Sequence, residues 1–505
     1  MSLILLKILS IFFKEKDSSI IPYIIIFVFL LVYTFVTGIR PSLLRATLFF
    51  LLIGINKVYY LNIKGYNLLI IVYLIMVIIN PFVIKDISFI LSWSITFSLL
   101  LTSELFKTNN YILNLFRTSL IALLCSLPIV INSFYTINLL SLINNILFVP
   151  FVSFIIYPLS LLTFILPFLN KILLFFTSIL NYLSSFCERI TFLTFYISRI
   201  NTYEIIIYYL IILLIIKCKN KTKYIVLLFI FIIFLYIKPY LNNDTLIYYL
   251  DVGQGDSSLI IYPHNRNILI DTGGLVSHTP KEEWKLKRNN YNLMISSLIP
   301  FFKSIGLKRI HYLILTHGDY DHMGEAINLV NNFKVEKVIF NCGAYNDLEQ
   351  DLIKVLEKKK IKYYSCIKEL DIDKNKLYFL QTKEYDNEND NSNVIYTELD
   401  GYKFMFMGDA SSTTEKEILK NYNLSDIDVL KVGHHGSKTS SGKEFIDEIN
   451  PKYSVISVGK NNRYGHPNKE VLNNLEDLKI YRTDEDGSIM FKIKNNKLKI
   501  ETCSP

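Results

Sequence analysis

Long apolar runs separated by short polar breaks fill residues 1–241, and they limit this part of the chain to a membrane architecture. A helix of about 20 apolar residues crosses the hydrocarbon core of a bilayer. Candidate spans fall at about 20–39, 43–62, 67–84, 88–106, 117–135, 137–157, 159–169 merging into 172–186, 191–216 and 224–241, which makes eight to ten membrane segments. Pro150, Pro158 and Pro167 interrupt one region, where kinked or re-entrant segments are expected. The short run at residues 1–13 reads as a signal-like start or a surface helix, and no small-residue cleavage site follows it. A mean hydropathy of +0.33 with 51% hydrophobic residues agrees with a membrane protein.

The pattern changes near residue 244. Segments such as LIYYL, NILIDTGG, HYLILTH, KFMFMGD and VLKVGHHG read as strands ending in glycine turns. Helical patterns at 291–305, 321–333, 349–360, 412–421 and 468–477 alternate with them, predicting a layered α/β domain with sheets inside and helices outside. Two domains are expected, residues 1–243 and 244–505. The first holds 18 Lys+Arg against 6 Asp+Glu, and the second 35 against 38, so the chain's basic excess of +9 does not sit on the soluble half. Bulk charge therefore gives that half no grip on nucleic acid. Lys217, Lys219, Lys221 and Lys223 crowd the loop before the last span, and only Lys238 follows it. The positive-inside rule puts this cluster in the cytoplasm and residues 244–505 on the extracellular face of the cell membrane.

All eight histidines lie after residue 243. His317, Asp319, Asp321 and His322 offer four ligands within six residues, on a tight loop between a predicted strand and a helix, where they can converge on one or two cations. Asp271 in IDTGG, Asp409 in MGD and the pair His434–His435 in GHHGS each close a strand as well. The cysteines form no CxxC, which argues against a cysteine zinc site. Cys342 and Cys366 stand near strand ends and are expected as two separate thiols, although an extracellular location permits a bridge.

The order IDTGG, THGDYDH, MGD, GHHGS resembles the metallo-β-lactamase superfamily, whose fold is an αββα sandwich. The fuller set is DVGQGDS at 251–257, THGDYDHMG at 316–324, GHHGSKTSS at 433–441 and NRYGHPN at 462–468. It is similar to the hydrolase domain of ComEC-type competence proteins. In the membrane half, Thr37-Gly-Ile-Arg40-Pro41-Ser42 with Arg45, Asn80-Pro81, Asp86 with Phe89 and Ser92, and Ser126-Leu-Pro128 with Asn144, Asn145 and Pro150 resemble the same family's channel. The resemblance implies a channel that passes one DNA strand inward, with Arg40, Arg45, Asn144 and Asn145 along it, and an outward-facing nuclease that degrades the other strand.

The resemblance also implies metal ligands at His317, Asp319, Asp321, His322, Asp409, His434 and His435. Asp409 would bridge two divalent ions, His434 is preferred as ligand with His435 contacting phosphate, and Asp271 would hold the loop. Ser437 and Arg463 would bind substrate. Asp321 and His466 would serve catalysis, with His466 touching phosphate or protonating the leaving group. Asp319 stands where many superfamily members carry His, and no His occurs between His322 and His434. The oxygen-rich set favours Mn²⁺ or Mg²⁺ over Zn²⁺, with water or Asn393 as candidates for the missing ligand. Expected partners are DNA, membrane lipid, other competence proteins (a DNA receptor and a cytoplasmic translocase) and further copies of the chain. Family members usually carry an additional N-terminal soluble domain, here expected to be supplied by another chain, lost, or cut off by a misplaced start. Two rival functions remain: a membrane-anchored metallohydrolase of small-molecule esters, lactones or phosphodiesters without DNA transport, and a channel whose soluble domain binds DNA without cutting it.

Overall fold

The computed structural model describes residues 20–102, 110–274, 291–380 and 384–503. The run at 1–13 and His278 lie outside these residues. The chain divides into two compact units, Met1–Phe229 and Ile230–Pro505.

The first unit is helical. Its helices are Ile21–Val36, Pro41–Val58, Gly65–Ile79, Ile87–Thr102, Tyr111–Phe134, Leu140–Phe151, Tyr157–Ile165, Asn170–Glu188 and Thr202–Lys217, and Lys221–Ile237 runs across the division between the units. Four stretches are long and apolar enough to cross a membrane: Pro41–Val58, Tyr111–Phe134, Leu140–Ile165 and Lys221–Leu241. Three shorter apolar helices accompany them, at Ile21–Val36, Gly65–Ile79 and Ile87–Thr102. The protein is a multi-pass membrane protein. Its side chains are distributed accordingly: Phe164 and Ile78 are 92% and 80% exposed, whereas Thr34, Thr47 and Ser126 are buried. Water would penalise such a surface, and lipid does not.

Proline shapes this unit less sharply than expected near residue 150. Leu140–Ile165 continues through Pro150 and Pro158 by means of one π-helical stretch, Val152–Ile156. The wider turn absorbs the missing amide donors. The apolar run at 191–216 begins not as helix but as a short strand, Thr194–Tyr196, paired antiparallel with Thr136–Asn138. Pro128 lies inside Tyr111–Phe134 and cannot donate to the carbonyl four residues back, that of Leu124. The Tyr208 hydroxyl donates to that carbonyl at 2.6 Å, so this acceptor is not stranded in the apolar interior.

The second unit contains two sheets face to face. One has eight strands in the order Lys497–Cys503, Ser488–Lys494, Thr245–Tyr249, Ser258–Ile261, Asn267–Ile270, Ile310–Ile314, Val335–Phe340 and Lys362–Ser365. The other has seven, ordered Lys479–Arg482, Tyr453–Ile456, Val429–Lys431, Tyr402–Phe406, Ile395–Leu399, Asn375–Phe379 and Glu369–Ile372. Ile247, Tyr249, Ile268 and Ile270 of the first sheet meet Phe404, Phe406 and Val429 of the second in one core. Their strand neighbours point the other way. Leu246, Tyr248, Leu259 and Leu269 pack with helices Ile299–Ser304, Ala326–Asn332 and Asp347–Lys359. Met405 and Leu430 pack with Ser412–Asn421, Lys443–Ile449 and Lys469–Asn474. Burial on both faces explains why these strands read as continuous apolar runs, and the four layers are those of the metallo-β-lactamase fold.

Cys342 and Cys366 are joined in a disulfide, which corrects the expectation of two separate thiols. The parallel register places Phe340 opposite Ser365, and each cysteine follows its strand by one or two residues. Strand pairing thus brings together residues that sequence spacing holds 24 apart.

Candidate metal centre

Parallel strands deliver their C-terminal ends to one edge of the sandwich. Asn267–Ile270 and Ile310–Ile314 run parallel in one sheet, and Tyr402–Phe406 and Val429–Lys431 run parallel in the other. Asp271, the His317–His322 loop, Asp409 and His434–His435 follow these four strands, so both sheets contribute to one site. Two glycines let the surrounding backbone close on the ligand loop. A Cβ on Gly255 (φ +137°) would collide with the carbonyl oxygen of Asp321, and one on Gly274 with that of Tyr320. His434 and His435 both adopt left-handed backbone (φ 47° and 53°), a strained turn that aims two consecutive rings back toward Asp409.

Asp409 is the hub. Its carboxylate lies 3.9 Å from Nε2 of His317, 3.0 Å from Nε2 of His322, and 3.7 Å from Nε2 of each of His434 and His435. Asp319 lies 3.6 Å from His317 Nε2, and Asp321 3.2 Å from His435 Nε2. Each ring is held from behind through its other nitrogen. His322 Nδ1 meets Asp271 at 2.9 Å, and His317 Nδ1 meets Thr316 Oγ1 at 3.1 Å and Ser392 Oγ at 3.3 Å. His435 Nδ1 meets the Ser457 carbonyl at 3.0 Å and Asp256 at 3.3 Å, and His434 Nδ1 meets Thr439 at 3.2 Å. Such outer partners fix ring orientation in metal sites.

The residues fit a metal. His317 Nε2, His322 Nε2 and Asp409 Oδ1 are sealed from solvent and make no well-aligned hydrogen bond among the described residues, although the last two approach to 3.0 Å as an ion pair. Buried polar atoms left in this way are costly unless something satisfies them, and a cation among them would satisfy all three. Asp256, His322, Asp409 and His435 form a metal-binding cluster in which one ligand atom of each lies within 4.8 Å of the others. Electrostatics agree. Burial opposes charge on His322, but Asp409 and Asp271 outweigh it and hold the ring well above its usual range. Burial likewise opposes charge on His435, yet Asp409 and Asp256 push it up to about 10. Burial also penalises the Asp409 carboxylate, and the surrounding histidines nevertheless hold it well below its usual range. A centre that attracts protons this strongly attracts other cations.

The remaining sequence-derived residues are spread around this centre. Asp271 accepts from the Thr316 amide and hydroxyl at 2.8 and 2.7 Å as well as facing His322, which ties the ligand loop to the neighbouring strand. Ser437 is buried, and its hydroxyl accepts from Thr439 at 3.1 Å, within its own turn. Arg463 is exposed. His466 is half-buried at the rim, its ring 5.9 Å from that of His434 and stacked 5.9 Å from Tyr464. Burial and then the neighbouring His434 lower its pKa. Asn393 is engaged elsewhere: its side chain donates to the Leu315 carbonyl at 3.0 Å and its amide to the Thr316 carbonyl at 2.8 Å. Its neighbour Ser392 reaches His317 instead.

Several supporting residues escaped sequence reasoning. Asp256 lies in the DVGQGDS segment and pairs with the fully buried Lys431 at 2.6 Å. Glu388 accepts from the Gly318 amide at 2.7 Å, and Asn346 donates to the Gly318 carbonyl at 2.7 Å, so the loop between His317 and Asp319 is clamped from both sides. Burial, followed by repulsion from Glu388, raises Glu349 of this group to about 7. Only DVGQGDS carried a readable signal.

Each half matches a known family. Residues 1–222 match the competence protein family, and residues 250–460 match the metallo-β-lactamase superfamily. ComE operon protein 3 of Bacillus subtilis is 32% identical over 507 residues, covering 95% of this chain and 64% of its own length. Competence protein ComA of Neisseria gonorrhoeae is 27% identical over 270 residues, covering 52% of this chain and 34% of its own. The chain thus spans less than two thirds of these relatives. Among solved structures, the metallo-β-lactamase fold protein YhfI of Bacillus subtilis covers 47% of this chain and 96% of its own, at 11% identity and a TM-score of 0.32, too slight a likeness to argue from.

Two outcomes are expected. Lys431→Met leaves Asp256 buried without its cation and should destabilise the domain by about 3–5 kcal/mol, while adding Asp256→Asn should recover most of the loss; denaturant unfolding of both variants measures this. Bound metal must displace the protons that His322 and His435 hold, so Mn²⁺ affinity by calorimetry should rise from about pH 6 to about pH 8. A flat profile would mean that these rings do not contact the ion.

Proposed function

We propose that this ComEC-like competence protein, a competence domain followed by a metallo-β-lactamase-like domain, carries incoming DNA across the cell membrane as a single strand while its metal centre hydrolyses phosphodiester bonds of the other strand. The convergence of four histidine Nε2 atoms on the buried Asp409 carboxylate carries the hydrolase half of this reading. Residues 1–243 form the channel domain, and residues 244–505 the hydrolase, on the extracellular side. The lysines ahead of Lys221–Leu241 support that orientation.

Two divalent ions fit the donor set. His317, Asp319 and Asp409 would hold one, and Asp321, His322, His435 and Asp409 the other. His435 replaces His434 as the favoured ligand, because it is buried with Nε2 toward both Asp321 and Asp409, whereas His434 is partly exposed. Asp256 faces the Nδ1 side of His435 and serves as its support. The carboxylate-rich set, with Asp319 in place of His, favours Mn²⁺ or Mg²⁺. When bound, the ions would act as Lewis acids toward a phosphodiester and its attacking water. The chain's own residues do the rest. Asp271, Thr316 and Ser392 keep the rings in one tautomer and orientation, and Gly318, clamped by Asn346 and Glu388, keeps His317 and Asp319 facing the same centre. Asp319, with half its side chain exposed, and His466 at the rim stand where a polyanion would enter. His466, whose pKa is lowered by burial and then by His434, stands beside the centre where a group acting on the leaving oxygen would sit.

In the membrane domain, Arg45 is buried in Pro41–Val58 and donates through Nε to Ser92 of Ile87–Thr102 at 2.9 Å. A charged group among apolar helices marks a polar path, and a phosphate backbone suits it. Arg40 is exposed at the start of the same helix, and Asn144 and Asn145 are half-buried in Leu140–Phe151. Competence partners and self-association complete the reading.

The full chain in detergent with Mn²⁺ is expected to cleave DNA, and Asp321→Ala to lower the rate at least about 100-fold with the fold retained. A folded, metal-loaded chain that cuts no DNA would leave the soluble domain as a binding module. In cells, Arg40→Ala with Arg45→Ala should abolish DNA entry while membrane insertion persists, and normal uptake of labelled DNA would remove both arginines from the path.

A further inference from the structure

A second polar site lies in the C-terminal unit at the opposite end of strand Ile310–Ile314 from His317. There a cavity of about 270 Å³ is lined by Tyr240, Arg266, Lys308, Arg309, His311 and Glu336, among others. Three permanent cations thus face one lining carboxylate. Arg309 is paired with that carboxylate, Glu336, at 2.6 Å. Arg266 approaches Asp373 only at 3.9 Å, with both side chains about half exposed. Lys308 lies over two aromatic rings, 3.2 Å from the centroid of Tyr236 and 4.9 Å from that of Tyr240.

Those two tyrosines say where the cavity is. They sit one turn apart at the end of Lys221–Leu241, the last apolar stretch long enough to cross a membrane. Tyrosines at the end of a span lie at headgroup depth, where an amphipathic ring suits both phases. Lys308 stacked on them holds the cavity's cationic wall at the same depth. An anionic group at headgroup depth, presented to Arg and Lys donors, is the phosphate of a lipid. The metal centre contributes no residue to this cavity, and the nuclease reading does not require it.

We propose that this cavity binds the phosphate of an anionic phospholipid headgroup through Arg266, Lys308 and Arg309, seating the soluble domain on the membrane surface. The fork of Arg309, already oriented by Glu336, gives the site direction, and Arg266, held only at 3.9 Å from Asp373, and Lys308 supply further positive charge.

The test titrates the full-length protein in neutral detergent with phosphatidylglycerol or phosphatidylcholine and reads the tightest-bound lipid by native mass spectrometry. The wild type should retain phosphatidylglycerol in preference to phosphatidylcholine. Arg266→Gln with Lys308→Gln should weaken phosphatidylglycerol binding about 25-fold, the product of roughly fivefold for each basic side chain near a lipid surface. Lys354→Gln with Lys443→Gln, two exposed cations elsewhere with the same change in charge, should bind like wild type. Equal retention of the two lipids by wild type, or wild-type binding by the Arg266/Lys308 variant, would overturn the proposal. So would displacement of the lipid by inorganic phosphate or by a short single-stranded oligonucleotide at comparable concentration, which would reassign the cavity to phosphate from solution or to nucleic acid. If the Arg266/Lys308 variant melts early, the lipid preference and the two displacement experiments on wild type decide by themselves.

Discussion

A buried carboxylate needs positive charge around it, and Asp409 sets the geometry of the soluble domain for that reason. It ends a central strand of one sheet, while the histidines it faces come from both. Closing the two sheets therefore brings these groups together, and the groups in turn are tolerable only where the sheets close. The cost of desolvating such a cluster is large unless each member is paired, and the pairing extends outward. His322 leans on Asp271, His435 on Asp256, and Asp256 on Lys431. Charge alternates along this series from the centre into the core, so each of these buried groups faces one of opposite charge.

The membrane unit answers the same requirement with hydrogen bonds in place of charges. Much of its exterior is apolar, and several interior polar groups find specific partners: Thr34 with Thr47, Arg45 with Ser92, and Tyr208 with the carbonyl freed by Pro128. Tyr208 and Pro128 are far apart in sequence, yet the proline makes sense only once the tyrosine is in place.

Much of this was legible beforehand. Strands buried on both faces, such as Asn267–Ile270 and Tyr402–Phe406, announce themselves as apolar runs ending in glycine. The strands of the second unit that went unread, Lys362–Ser365, Glu369–Ile372, Lys479–Arg482 and Lys497–Cys503, are the four edges of its two sheets, where exposure of one side erases the pattern. In the site, residues whose chemistry resides in the side chain were visible as His and Asp at strand ends. Ser392, Asn346 and Lys431 were not, because each acts through an approach between segments that only the folded sheets create. Asn393 illustrates the limit: an amide beside the site looked like a ligand, but the backbone turns it toward Leu315 and presents Ser392 to His317. The Cys342–Cys366 bridge was hidden for the same reason, since strand register and not spacing brings the sulfurs together.

Gly255 and Gly274 pack directly against the main chain of the ligand loop, beside Asp321 and Tyr320. The loop is therefore located by peptide against peptide, with no side chain in between. Its path is insulated from the identity of the residues it carries. A scaffold seated in this way can exchange an imidazole for a carboxylate at position 319, and with it the hardness of the donor set, without relocating any other ligand. Metal preference then becomes a property that single substitutions can retune while the architecture stays in place.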